Sequence, residues 1–108
     1  MQVIWSMRAR WLLDEIITYI GNENSDAALH LDDLLCRAAD GLRIFPRRVR
    51  YGRIKGTYEL VPHPNYILIY AIHDEIIYIV DVLHASRQYP MKPKADDHLI
   101  EVRKYRIR

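Results

Sequence analysis

Side chains able to do chemistry gather in two places along the 108 residues. One is the polar cluster His84, Ser86, Arg87, Gln88 and Tyr89, which ends a long apolar run and is where function is expected. The other is Arg47 to Gly56, RRVRYGRIKG, which holds five bases and no acid. Two readings of that stretch stand side by side. It is a solvated connection, or it frames an anionic partner, with Gly52 and Gly56 allowing a close backbone approach.

Other reactive types are scattered. The five histidines (30, 63, 73, 84 and 98) lack short metal-ligand spacing and Cys36 has no cysteine partner, so no zinc site is expected. The four glycines are too widely spread to cradle a phosphate. Cys36, after Leu34 and Leu35, reads as a small core residue. Asp32 and Asp33 read as a polar helix face, and Asp81, among apolar neighbours, as a hydrogen-bonded structural carboxylate. His63 reads as a turn residue and His73 as solvent-facing at a hairpin. Tyr66, Tyr70 and Tyr78 have sheet spacing, which suits cross-strand packing more than base stacking.

These groups must be positioned by the elements around them. Thr57–Val61, Tyr66–Ile72 and Ile76–His84 are apolar, β-branched or aromatic runs, parted by Pro62-His63-Pro64-Asn65 and by His73-Asp74-Glu75. They predict three antiparallel strands in a meander. The last two are apolar at nearly every position, which a strand needs when both faces are covered. Strict alternation along the last strand puts Ile77, Ile79, Asp81 and Leu83 on one face, and Tyr78, Val80, Val82 and His84 on the other.

Upstream, Gln2–Ser6 predicts a short strand, at an edge or in the centre. From Met7, apolar residues at 9, 12, 13, 16, 17 and 20 recur at helical spacing, ending at Gly21-Asn22 with a left-handed glycine cap. Asn24-Ser25-Asp26 caps a second helix with Ala28, Leu31, Leu34, Leu35, Ala38 and Leu42 on its apolar stripe, stopped by Pro46. Such a helical hairpin needs a sheet to cover.

Length and composition predict one domain with an ordinary core; half the residues are hydrophobic and 28% are charged. No apolar run approaches the roughly 20 residues of a membrane span, and the N-terminus carries no signal-peptide pattern. The lone cysteine fits a reducing compartment, so a cytoplasmic location is expected. Residues 91–108 hold six bases and three acids, leaving ten bases and eleven acids in residues 1–90. That balance disfavours a core that grips nucleic acid through phosphates. Residues 91–108 read as a basic appendage after a domain of residues 1–90.

With the order strand, helix hairpin, basic stretch and meander in place, the chain resembles the RelE/ParE superfamily of toxins from type II toxin–antitoxin systems. The carrying residues are Tyr19-Ile20, Asp26-Ala27-Ala28, Phe45-Pro46 and Gly52-Arg53-x-x-Gly56-Thr57-x-Glu59-Leu60. They continue with His63-Pro64-Asn65-Tyr66-x-x-x-Tyr70 and Val82-Leu83-His84-x-x-Arg87-Gln88-x-Pro90, and the last two segments are closest to the ParE branch. The resemblance implies an α+β fold: an N-terminal strand, a two-helix hairpin and a three-stranded meander in a small mixed sheet with the helices on one face.

It further implies growth arrest, relieved by a cognate antitoxin that carries any DNA contact, so that DNA is a partner only indirectly. Trp5, Trp11, Leu12, Ile16 and Leu35 are expected to meet the antitoxin, and core packing of the tryptophans is the alternative. For ParE-like action the partner is DNA gyrase, met by Arg87, His84, Gln88, Tyr89 and Arg53. Arg87 leads, because a guanidinium makes bidentate, oriented contacts. For RelE-like action the partner is the ribosome with messenger RNA, and His84, Arg87, Tyr89, Lys55 and Glu59 form the acid–base set. Ile67 and Tyr58 stand where an RNase-type member would carry cations, which favours the gyrase reading. A toxin fold kept only as a binding module is the third reading. No cofactor, metal or membrane contact is expected.

Overall fold

The structure is a computed structural model and describes residues 1–46 and 50–85, with Arg50 described for its backbone alone. Strand β1 (Gln2–Trp5) passes into helix α1 (Met7–Gly21) through a single buried serine. Ser6 N–H donates to Ile79 O at 2.9 Å, and its Oγ accepts from Ala9 N–H at 3.0 Å. One residue thus finishes a strand pairing and caps a helix, a cap contributing about 1 kcal/mol.

Asn22 ends α1 in the right-handed region (φ −62°), so the left-handed glycine cap expected at Gly21-Asn22 is not used. The next cap takes over. Asn24 N–H bonds Ile20 O at 2.9 Å while its Oδ1 accepts from Ala27 N–H at 3.0 Å, opening α2 (Ser25–Gly41) as expected. Ala9 and Leu13 of α1 and Ala28, Leu31, Leu35 and Ala39 of α2 are buried.

Strands β3 (Tyr58–His63), β4 (Tyr66–His73) and β5 (Ile76–His84) form the expected meander. β1 lies parallel to β5 at one edge of the sheet. At the other edge Arg50–Tyr51 forms β2, paired antiparallel to Glu59 and Tyr58. The order is β1-β5-β4-β3-β2. Two residues are too few to show alternation, so β2 was hidden inside the basic stretch.

Both faces of the central strands are closed. On one, Leu68, Tyr70, Ile77, Ile79 and Val82 pack with Ala9, Ala39 and Leu42 of the helical layer. On the other, Ile67, Ile69 and Val80 pack with Ile54 from the β2–β3 loop.

Two bulges change which side chains face the helices. Ile69 pairs with Asp81 but Tyr70 with Ile79, leaving Val80 as an extra residue in β5. From there the parity inverts: Val82 and His84 join Ile77 and Ile79 on the helix side, and Leu83 joins Tyr78 and Val80 on the other. The strict alternation read along this strand is therefore corrected beyond Val80. In β3, the register shifts between Leu60 and His63, around Pro62, which could not donate to a regular ladder.

The β4–β5 hairpin turns on Asp74 (φ 51°) and Glu75 (φ 64°), two residues in the left-handed region favoured by Asn and Gly. Glu75→Gly is expected to raise stability by about 1 kcal/mol, or roughly 4–8 °C in the thermal midpoint. A scanning calorimeter would decide it, and an unchanged or lower midpoint would contradict the turn geometry.

Candidate functional site

The bulges assemble a row across β3, β4 and β5. His63 pairs with Tyr66 and Tyr66 with His84. The rings touch, with centroids 5.5 Å apart for His63–Tyr66 and 5.4 Å for the edge-on Tyr66–His84 contact. His63 Nδ1 accepts from Asn65 N–H at 3.0 Å, and Ala85 N–H donates to Asn65 O at 2.7 Å, tying the end of β5 to the β3–β4 turn. Regular strands would have put His84 on the sheet face away from α1.

Beside this row a groove of about 490 Å³ runs between α1 and the sheet, bounded by Trp11, Leu12, Glu15, Ile16, Tyr19, Tyr66, Val82 and His84. Trp11, Glu15 and Tyr19 are four residues apart and share one outer stripe of α1, in which two aromatics flank a carboxylate beside the core-facing stripe. Trp11 is 60% exposed and Tyr19 73% exposed. A smaller hollow of about 330 Å³ lies on the α2 side, and Tyr66 and His63 form part of its wall with His30 and Leu34.

The residues expected to meet an antitoxin therefore divide. Trp11, Leu12 and Ile16 line the groove. Trp5 is partly buried against the core, with the Arg10 guanidinium 5.5 Å from its ring centre, so it is rim packing. Leu35 is fully buried with Leu13 and Leu31, and the close approach of the two helices leaves it no surface; its expected contact role is corrected to a core role.

The acid–base set separates in the same way. Glu59 is buried, and its Oε2 accepts from Arg53 N–H and meets Arg53 Nε, both at 3.1 Å. Glu59 pairs with Ile69, on the face that Ile54 covers, whereas His84 lies on the helix face. The carboxylate and the imidazole are thus divided by the sheet. Lys55 sits in the exposed β2–β3 loop. Arg87, Gln88 and Tyr89 lie outside the described residues, as does the appendage of residues 91–108.

Gly52 serves the chain itself. Its N–H donates to Thr57 O at 2.7 Å, and a Cβ there would collide with Thr57 Oγ1. Thr57 Oγ1 in turn donates to Ile54 O at 2.6 Å. The close backbone approach expected at Gly52 is therefore an internal one. Gly56 needs its left-handed conformation (φ 89°) to close the same loop.

Asp81 is the structural carboxylate expected. Its Oδ1 accepts from Val82 N–H at 2.9 Å and its Oδ2 lies 3.6 Å from Arg8 Nε. Burial first, and then the neighbouring Asp32 carboxylate, push the Cys36 thiol up from its ordinary range, which suits a half-buried, unreactive residue. The site residues missed by sequence reasoning are His63, Tyr66 and Tyr19. For His63 and Tyr66 the available signal was Pro62, directly after the first strand run, because a proline that continues a strand marks a bulge.

The result is a small α+β domain with a helical hairpin on a mixed sheet and an aromatic-lined groove between them. Residues 3–89 match the family model described as ParE toxin of type II toxin-antitoxin system, parDE. The chain is 39% identical over 90 residues to the putative toxin Y4kP of Sinorhizobium fredii, covering 82% of this chain and 93% of that one. It is 37% identical over 86 residues to toxin RelE2 of Caulobacter vibrioides, covering 80% and 97%. Its fold matches a chain of the chromosomal ParDE system of P. aeruginosa with a TM-score of 0.69 at 15% identity, over 78% of this chain and 95% of that one. The chain belongs to the ParE toxin family of type II toxin–antitoxin systems, and that family implies an antitoxin partner.

Proposed function

We propose that this toxin arrests growth by binding DNA gyrase, and that a segment of its cognate antitoxin neutralises it by filling the groove along α1. The observation carrying the first part is the division of Glu59 and His84 between opposite faces of the sheet. General acid–base cleavage of RNA requires groups that converge on one phosphate, within hydrogen-bond reach of the reacting atoms. Glu59 is instead engaged in holding Arg53 and the β2–β3 loop. A binding toxin needs only a shaped surface with a few oriented charges.

For the second part, the groove offers half-exposed aromatics beside a partly covered aliphatic floor. Such a surface suits an amphipathic segment that folds on contact. Among the described residues no helix is long and apolar enough to cross a membrane.

Induction without antitoxin, with pulse labelling of new DNA and new protein in the first minutes, tests the target. DNA synthesis is expected to fall first, with filamentation, and Arg87→Ala to remove the arrest while antitoxin capture is retained. Protein synthesis falling first would overturn the gyrase reading in favour of messenger RNA cleavage on the ribosome. A fully toxic Arg87→Ala variant would remove that residue from the working surface.

A further inference from the structure

Glu15 is the one acidic residue in the lining of the groove along α1. It stands one helical turn after Trp11 and one before Tyr19, about 6 Å of helix rise from each. Both rings are exposed, and half-buried Leu12 and Ile16 form the floor beside them. Among the described residues no base is paired with Glu15. The arginines of the two helices are placed elsewhere. Arg8 Nε lies 3.6 Å from Asp81 Oδ2, Arg37 Nε 2.9 Å from Asp33 Oδ2, and the Arg10 guanidinium 5.5 Å from the ring centre of Trp5. The surroundings are negative too, since α1 and α2 together hold six acids and three bases.

These facts constrain what can fill the groove. A wholly apolar occupant would strip water from Glu15 and leave a carboxylate without a partner, offsetting much of what burial of the rings contributes. An acidic occupant would be repelled by Glu15 and by the hairpin around it. A cation suits all three side chains at once. It pairs with the carboxylate, and a ring face within about 6 Å attracts it through the aromatic quadrupole. Arginine fits better than lysine, because its planar guanidinium can stack on an indole while its edge meets both carboxylate oxygens.

We propose that Trp11, Glu15 and Tyr19 form the seat for one basic side chain of the antitoxin segment, an arginine in preference to a lysine. This seat makes Glu15 a specificity-determining residue: it admits segments that carry a base at the matching position and rejects those with an apolar or acidic residue there. The inference rests on the reading that the antitoxin fills the groove along α1, and it is independent of the gyrase reading. Apolar contact with Trp11, Leu12 and Ile16 supplies most of the affinity, while the single charge fixes the register of the segment along the helix.

The test is a double-mutant cycle on the full-length toxin and its purified cognate antitoxin, read by calorimetric titration. Glu15→Gln is expected to weaken binding about tenfold or more and to flatten its salt dependence. Each Arg and Lys of the antitoxin segment is replaced in turn by Met. One of these replacements should also weaken binding to the unsubstituted toxin about tenfold, yet change binding to Glu15→Gln by less than about threefold. Putting Lys at that antitoxin position should restore part of the loss. Glu15 is exposed and glutamine is an equally good helix former, so an unchanged thermal midpoint verifies that the fold is intact. Trp11→Ala serves as the control for the groove itself. If Trp11→Ala weakens binding but Glu15→Gln does not, or no antitoxin base couples to Glu15, the cation seat is overturned and the groove reading stands. If neither toxin variant changes the affinity, the groove reading fails and takes the seat with it. A Glu15→Gln variant that binds more tightly would also overturn the proposal, since it would mean that the carboxylate opposes the partner.

Discussion

Trp11→Ala is expected to weaken antitoxin binding by about 30-fold or more, with little change in the thermal midpoint of the toxin alone. The argument rests on where the indole sits. It stands on the outer stripe of α1, 60% exposed, with Leu12 and Ile16 behind it and Tyr66 and His84 across the groove. In the free toxin most of that ring is in water, so truncation costs the fold little. In a complex that fills the groove the same ring is desolvated, and centrally placed tryptophans lose 2 kcal/mol or more on truncation, about 30-fold in affinity. Calorimetric titration of the purified antitoxin into both proteins would read it. An unchanged affinity would move the antitoxin off this groove, while a collapsed midpoint would make Trp11 a core residue.

Leu35→Ala should do the reverse. Leu35 lies in the seam between the two helices, fully buried with Leu13 and Leu31. Removing its branched end leaves a cavity that packed helices refill only in part, at a cost of about 3 kcal/mol. In a domain of this size that is roughly 10–20 °C in thermal midpoint. Antitoxin affinity measured well below the midpoint should stay within about twofold, since no part of the side chain reaches the surface. A large loss of affinity at an unchanged midpoint would mean that the helices part to expose Leu35 to the partner. The two variants together separate a residue that holds the fold from one that the fold presents.

The contrast also marks how far a helical pattern can be read. Trp11, Leu12, Ile16 and Leu35 are all apolar on helices, and spacing alone marks each as facing something. Whether that something is the partner helix or empty space depends on how the hairpin is rotated onto the sheet. The packing of Ala9, Ala39 and Leu42 against β4 and β5 sets this rotation. Loop chemistry shows the same limit. Gly52-Arg53 is a basic, flexible dipeptide in sequence, yet Gly52 is there to admit Thr57 and Arg53 to clamp Glu59.

The sequence by itself determined the order of every element but β2, the cap at Asn24, the meander from Thr57 to His84 and the family. Each of these depends on neighbours within a few residues, where hydrophobic period, capping side chains and turn formers act. Only the tertiary structure decided which side of the sheet the functional candidates occupy. A single extra residue, Val80 in β5, inverts every later side chain of that strand, and the shift at Pro62 does the same in β3. Those two inversions bring His63 and His84 to either side of Tyr66 and leave Glu59 on the far face with Arg53. A bulge is fixed by pairing with the strand alongside, through hydrogen bonds and core contacts that no local stretch of sequence contains.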